Sequence, residues 1–222
     1  IRRMMAHDFP SVPCATVVTS ITKADRMENI FKTFLPEYVF HAAAYKHVPM
    51  MEDNPCESIQ NNVLGTKILA DLSVKYGVRR FVMVSTDKAV NPTNVMGCSK
   101  RICEVYVQSL NKAERDGVVK GQTQFITTRF GNVLGSNGSV IPIFERQIKA
   151  GGPVTVTDPN IIRYFMLIPE ACELVLEAGT KGEGGEIFVF DMGKSVRIAD
   201  LARRMIELSG AKGVEIKYTG LR

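Results

Sequence analysis

Short continuous apolar runs alternate along this chain with longer stretches in which apolar residues recur every three or four positions. Ala15–Val18, Tyr38–His41 and Phe81–Val84 have the length and the β-branched or aromatic content of buried strands. Between them, the spacing predicts an amphipathic helix over 24–34. A second helix runs from Pro55 to about Tyr76, with Ile59, Val63, Ile68, Leu69 and Leu72 on its buried side and Gly77 as its C-terminal cap. A helix over 95–115 and a strand over 124–130 follow. Beyond Gly135 the rhythm loosens into a helix near 140–150, a Gly151-Gly152-Pro153 break, a strand at 154–156 and a helix at 169–179. A strand at 186–190, a helix at 198–209 and a strand at 214–218 complete the reading, and residues 1–7 read as the end of a helix. Strand–helix alternation of this kind predicts an α/β fold with a doubly wound, Rossmann-type parallel sheet and a smaller C-terminal lobe. Such sheets open with a strand, a glycine-rich turn and a helix. No G-x-G-x-x-G occurs, so that N-terminal βαβ start reads as missing, and the chain reads as truncated at both ends.

Composition narrows the field. With 222 residues and 45% hydrophobic content, the chain is long enough for a sizeable core, and no apolar run approaches the roughly 20 residues of a membrane span. The opening residues lack the apolar stretch of a signal peptide. Five scattered cysteines, without a Cys-x-x-Cys pair, read as reduced core thiols of a cytoplasmic protein. Three histidines and no acidic cluster at ligand spacing argue against a metal. The net charge of +5 is spread along helices that also carry acids, which argues against a nucleic-acid partner and suits an anionic small molecule.

The most informative segment is Ser85-Thr86-Asp87-Lys88-Ala89-Val90-Asn91-Pro92. It follows the apolar run Phe81–Val84, at a carboxyl end, where open α/β sheets place their ligands. An adjacent acid and amine in that position form a proton donor and acceptor pair. The competing reading is a turn with Asp87 or Asn91 as a cap and Lys88 in solvent. Lys100 lies twelve residues further on, in Val95-Met96-Gly97-Cys98-Ser99-Lys100.

These residues resemble the extended short-chain dehydrogenase/reductase superfamily, whose active helix carries Tyr-x-x-x-Lys. Lys100 matches the lysine, which there binds the nicotinamide ribose, and Thr86 matches the Ser/Thr of the triad. Met96 stands where the tyrosine would be, and a thioether neither donates nor accepts a proton at neutral pH. Val84 to Arg101 as a whole resembles one subgroup that carries this methionine, the polysaccharide-biosynthesis (capsule and O-antigen) UDP-N-acetylglucosamine 4,6-dehydratases.

That resemblance implies NAD or NADP as cofactor, a UDP-sugar substrate, a homo-oligomer, and a membrane anchor outside this segment in the longer members. It implies an NAD(P)-binding domain over 1–135 and, over 136–222, a mostly substrate-binding lobe interleaved with the sheet. On the cofactor side it points to Ser20 and Ile21 near adenosine, to Ala42, Ala43, Ala44 and Lys46 in the loop after Tyr38–His41, and to Asn62, Ser85 and Lys100. On the substrate side it points to Lys46, to Asn132, Ser136, Asn137, Gly138 and Ser139 in the segment 129–139, and to Arg163. The implied reaction oxidises the sugar at C4, eliminates water across C5 and C6, and returns the hydride to C6. Lys88 serves as base, Asp87 as acid, and Thr86, a water or Lys100 takes the C4 hydroxyl proton. A nucleotide-sugar 4-epimerase, which needs no acid–base pair of this kind, and a non-catalytic nucleotide-sugar or dinucleotide-binding module are the competing functions.

Overall fold

A computed structural model describes residues 2–136 and 138–220, apart from the side chain of residue 2. Helices α1 (Arg2–Asp8) and α2 (Ala24–Phe34) precede strand β1 (Tyr38–His41). Helices α3 (Val48–Asp53) and α4 (Pro55–Ser58) each carry proline in the first turn, where its missing N–H is no loss. Helix α4 runs on through a π-helical turn, Ile59–Leu64, into α5 (Gly65–Lys75). Strand β2 (Arg80–Thr86), a 3-10 turn (Asp87–Ala89), α6 (Val95–Arg115) and β3 (Gln124–Phe130) complete the first half. The remainder is β4 (Asn132–Val133), α7 (Val140–Lys149), β5 (Val154–Val156), β6 (Ile162–Arg163), β7 (Phe165–Met166), α8 (Ile168–Lys181), β8 (Ile187–Val189), β9 (Val196–Arg197), α9 (Ile198–Ser209) and β10 (Ile216–Tyr218).

The main sheet has the order β1-β2-β3-β8, all parallel. Alternate side chains leave it on opposite faces. Phe81, Met83 and Phe125 join Met27, Phe31, Leu69, Leu72, Cys103 and Val107 from α2, α5 and α6. Val82 and Ile126 point the other way and meet Ala178 of α8. Coverage on both faces explains why β2 reads as an almost unbroken apolar run. A second core gathers Phe144 and Ile148 of α7, Val154 and Val156 of β5, and Ile198, Ala199 and Ala202 of α9. The predicted α/β parallel-sheet architecture is therefore present. Because β8 returns to the main sheet, the segment after Gly135 is shared between that sheet and the second core.

Three expectations fail. Ala15–Val18 forms no strand. It has no ladder partner among the described residues, and Val18 is 95% exposed. Strand propensity describes a residue's fit to a pleated surface, and a strand still requires a partner. The cysteines are not core thiols as a group: Cys103 alone is buried, while Cys14, Cys56, Cys98 and Cys172 are exposed. The helix predicted from Pro55 to Tyr76 is interrupted by its π-helical turn, which shifts the register of the side chains beyond it. The two-residue ladders β4–β7 and β6–β9 show no periodicity to read and appear only in the fold. Among the described residues no helix is long and apolar enough to cross a membrane.

Candidate active site

Strand β2 ends at the carboxyl edge of the sheet on Thr86, which organises the turn that follows. Its Oγ1 accepts from the main-chain N–H of Lys88 (3.3 Å) and donates to Asp87 Oδ1 (2.8 Å). Lys88 Nζ donates to the same Asp87 oxygen at 3.0 Å, with 32% of the lysine side chain and 50% of the aspartate side chain exposed. The acid and the amine are thus in contact and open to a ligand. The main chain of Lys88 is pinned from below by α6. A methyl group on Gly97 would sit 2.3 Å from the Lys88 carbonyl oxygen, so only glycine lets the two backbones meet. The start of α6 is itself well satisfied: Asn94 Oδ1 accepts from Gly97 N–H (2.8 Å), and Glu52 Oε1 accepts from Val95 N–H (2.6 Å). The cap is therefore Asn94, and neither Asp87 nor Asn91 caps this helix.

Lys100 lies one turn into α6, 5% exposed, with no hydrogen bond or ion pair to another described residue. Burial pushes its ammonium below the ordinary lysine range, against the opposing influence of Cys103 and Glu104. His41, at the end of β1, is buried beside it and bonds Thr66 Oγ1 through Nε2 (2.8 Å). Burial first, and Lys100 second, lower the His41 pKa to about 3, so the ring is neutral.

Asn62 sits inside the π-helical turn, where the wider helix aims it inward, and it is fully buried. Its Oδ1 accepts from Tyr45 N–H (2.7 Å) and its Nδ2 donates to the Tyr45 carbonyl (3.0 Å), so one amide clamps the loop after β1. The same Nδ2 meets Ser99 Oγ (2.9 Å), which donates to the Met96 carbonyl (2.8 Å). In the clamped loop Ala42, Ala43 and Lys46 are exposed and Ala44 is half-buried. The alanines therefore fill no core; they form a low floor at the carboxyl end of β1.

A second polar group was not legible from the sequence. Glu104, fully buried on α6, accepts from Ser85 Oγ (2.6 Å), Arg129 Nε (2.8 Å), Arg129 Nη2 and Arg101 Nη1 (3.0 Å). Burial alone raises its pKa, but the bonds from Arg129, Ser85 and Arg101 outweigh it and hold the carboxyl below its usual range. Just past Arg129, a methyl on Gly131 would stand 3.4 Å from Asp87 Oδ2 and 3.5 Å from Met192 Cε. Gly131 thus lies against Asp87, and Met192 against Gly131, although neither was a candidate. Asn132 Nδ2 donates to the Tyr164 carbonyl (3.2 Å), and Asn132, Gly138, Ser139 and Arg163 line one cavity of about 280 Å³ together with Phe165 and Ile198.

Thr86, Asp87, Lys88, Met96 and Lys100 therefore gather where β2 meets α6, and four of the substrate-side candidates gather in the neighbouring cavity. Ser136 is half-buried in the same segment, and Asn137 lies outside the described residues. Lys46 has no polar partner among the described residues; its neighbour His47 packs against Gly138, across from β1. Ser20 is exposed, its side chain bonding Thr22 and its carbonyl accepting from Lys23 N–H, while Ile21 packs on Gly65; none of these contacts is with a catalytic candidate.

Comparison with known proteins shows the family and the fold. A family model described as polysaccharide biosynthesis protein matches residues 2–222. The chain is 53% identical over 208 residues to the capsular polysaccharide biosynthesis protein CapD of Staphylococcus aureus, covering 93% of this chain and 34% of that protein. It is 42% identical over 186 residues to a UDP-glucose 4-epimerase of Rickettsia canadensis, covering 84% of this chain and 53% of the relative. The chain thus spans about a third of the first relative's length and about half of the second's. The solved structure of Pen from Bacillus thuringiensis superposes with a TM-score of 0.89 at 33% identity, covering 99% of this chain and 68% of that one. Solved structures 16–21% identical share the fold, and among them are complexes with NAD and with NADPH. On the match along its whole described length, the chain belongs to the polysaccharide biosynthesis protein family.

Proposed function

We propose that this chain carries the active site of a nucleotide-sugar 4,6-dehydratase acting on a UDP-N-acetylglucosamine-type sugar. The observation that carries the reading is the contact between Lys88 Nζ and Asp87 Oδ1 at 3.0 Å, at the carboxyl edge of the sheet. Moving one proton within that pair turns ammonium and carboxylate into amine and carboxylic acid, the base and acid that an elimination requires. Lys88 then takes the proton from C5, and Asp87 gives one to the departing C6 hydroxyl. Thr86, bonded to Asp87, lies within the same relay. A binding module has no use for such a pair.

The residues also fit a nicotinamide dinucleotide. Lys100 is a buried ammonium without a partner among the described residues, an arrangement that costs free energy unless a ligand uses it. Ala42–Ala44 leave open backbone at the carboxyl end of β1, next to His41. Lys100 and the floor held by Asn62 would seat the nicotinamide end, and Ser20 and Ile21 the adenosine end. The buried Ser85 hydroxyl is instead committed to Glu104 (2.6 Å). When bound, the cofactor supplies reversible hydride acceptance at the sugar carbon. Asn132, Gly138, Ser139 and Arg163 would hold the UDP portion in their shared cavity, and the chain would work in the cytoplasm as part of a longer homo-oligomeric protein.

A C4 epimerase is the second reading, favoured by the Rickettsia relative. Incubation of the full-length protein with UDP-N-acetylglucosamine, followed by NMR, separates the two. A 4-keto-6-deoxy product that disappears in Lys88→Ala is expected. A C4 epimer formed without loss of water, or full activity in Lys88→Ala, would overturn the dehydratase assignment.

A further inference from the structure

Ser85 and Arg129 are register partners in the parallel ladder, so their side chains leave the sheet on the same face, toward α6. Both end on the carboxylate of Glu104. Glu104 in turn stands one helical turn beyond Lys100 on α6. The ladder between β2 and β3 stops one residue further, at Thr86 and Phe130. There the chains part into the two segments that carry the site: Asp87–Lys88 on one side, Gly131–Asn132 on the other.

We propose that Glu104 is a positioning residue that ties these two diverging segments to α6, and so fixes the acid–base pair and the Asn132 cavity relative to Lys100. The proposal rests on reading Asp87–Lys88 as the reacting pair. Stability alone is a poor reason for this carboxylate, because a fully buried ion pair is often matched or bettered by well-packed apolar side chains. Geometry supplies a better one. Only an acceptor with two oxygens can take the Ser85 hydroxyl and the Arg129 fork at once, and these are the last inward-facing side chains before the strands separate. Arg101 adds a donor from the solvent side, 42% exposed and attached to neither segment.

In the full-length protein the test compares Glu104→Gln, Ser85→Ala and Arg101→Ala. A misplacement of reacting groups near 1 Å lowers turnover by about 100-fold, and that fall in kcat is expected for Glu104→Gln. Ser85→Ala should lose about tenfold, and Arg101→Ala should stay within about twofold even where it melts lower. Backbone amides of 86–88 and 130–132 should exchange hydrogen faster in the first two variants and unchanged in the third. If Glu104→Gln fails to fold, Ser85→Ala, which removes one hydroxyl, carries the comparison. Lowered melting with wild-type kcat and exchange in both would reduce the network to a structural one and end the proposal. If the wild-type protein dehydrates no UDP-sugar, the dehydratase reading fails, and the exchange measurement still decides whether Glu104 holds the two segments.

Discussion

Gly97→Ala puts the geometry beneath Lys88 to a quantitative test. Gly97 is buried in the first turn of α6 with ordinary helical torsions, so alanine there gains about 1 kcal/mol of helix propensity. Against that gain, the new methyl would stand 2.3 Å from the Lys88 carbonyl oxygen, 3.1 Å from the carbonyl carbon and 3.2 Å from Pro92 Cβ, where real contacts begin beyond 3.0 Å. The obstructing atom is backbone and has no rotamer into which to retreat, so the Lys88 turn must move by about 0.7 Å, the difference between those two distances. Overpacking of this kind costs about 1–3 kcal/mol, which leaves a net destabilisation of about 0–2 kcal/mol after the helical gain. The effect on chemistry should be larger than the effect on stability. A displacement approaching 1 Å at a reacting amine can lower turnover by about 100-fold. The assay is kcat for the full-length enzyme beside its thermal midpoint, with Cys98→Ala, one residue away and exposed, as the control expected to behave as wild type. A Gly97→Ala protein that melts higher and turns over normally would show that α6 does not position Lys88.

Two further predictions concern buried titratable groups. His41 has its folded pKa lowered to about 3 from 6.5, so its contribution to stability is present above pH 6.5 and is lost as pH falls. Acidification from pH 7 to pH 5 should remove about 2 kcal/mol through this residue, and His41→Gln should flatten the denaturation midpoint over that window; an unchanged pH slope refutes it. Glu114 has the opposite sign. Its two carboxyl oxygens are buried with no side-chain partner among the described residues, and burial raises its pKa against the opposing influence of the Thr123 main chain, so the folded state favours the protonated form and stability falls as pH rises. Glu114→Gln should therefore raise the melting temperature at pH 7 and have little effect near pH 4; a lower melting temperature at pH 7 would count against the burial account.

The parts of the fold legible in the sequence were those set by local patterning. The apolar runs at 38–41, 81–84 and 124–130 and the helical spacing of 24–34 and 95–115 report the face that each element buries, and that is enough to read a covered parallel sheet. The candidate site's place was legible where patterning is local too: four polar residues directly after an apolar strand mark a carboxyl edge. What stayed hidden depends on contacts far apart in the chain. Glu104 joins Ser85 and Arg129 across 19 and 25 residues, and Asn62 joins Ser99 across 37. Neither glutamate nor serine in a helix announces a partner on another element. The π-helical turn was equally hidden, since one extra residue per turn barely changes an apolar pattern, yet it is what turns Asn62 inward to hold Tyr45.

Met96 joins the two halves of this picture. Its side chain is 4% exposed, in contact with the core, while its carbonyl accepts from Ser99, which also receives Asn62 Nδ2. The link from the start of α6 to the loop after β1 therefore runs through the backbone of residue 96 and is indifferent to the side chain there. A methionine at this position leaves that link intact and contributes no proton donor or acceptor at neutral pH. Among the catalytic candidates Thr86, Asp87, Lys88 and Lys100, Asp87 and Lys88 are paired with each other as ionisable partners, and Thr86 bonds Asp87. On the proposed dehydratase reading, a methionine at 96 and the contact between Asp87 and Lys88 point the same way: proton transfer would be concentrated on the turn that Gly97 supports and that Glu104 is proposed to tie to α6 through Ser85.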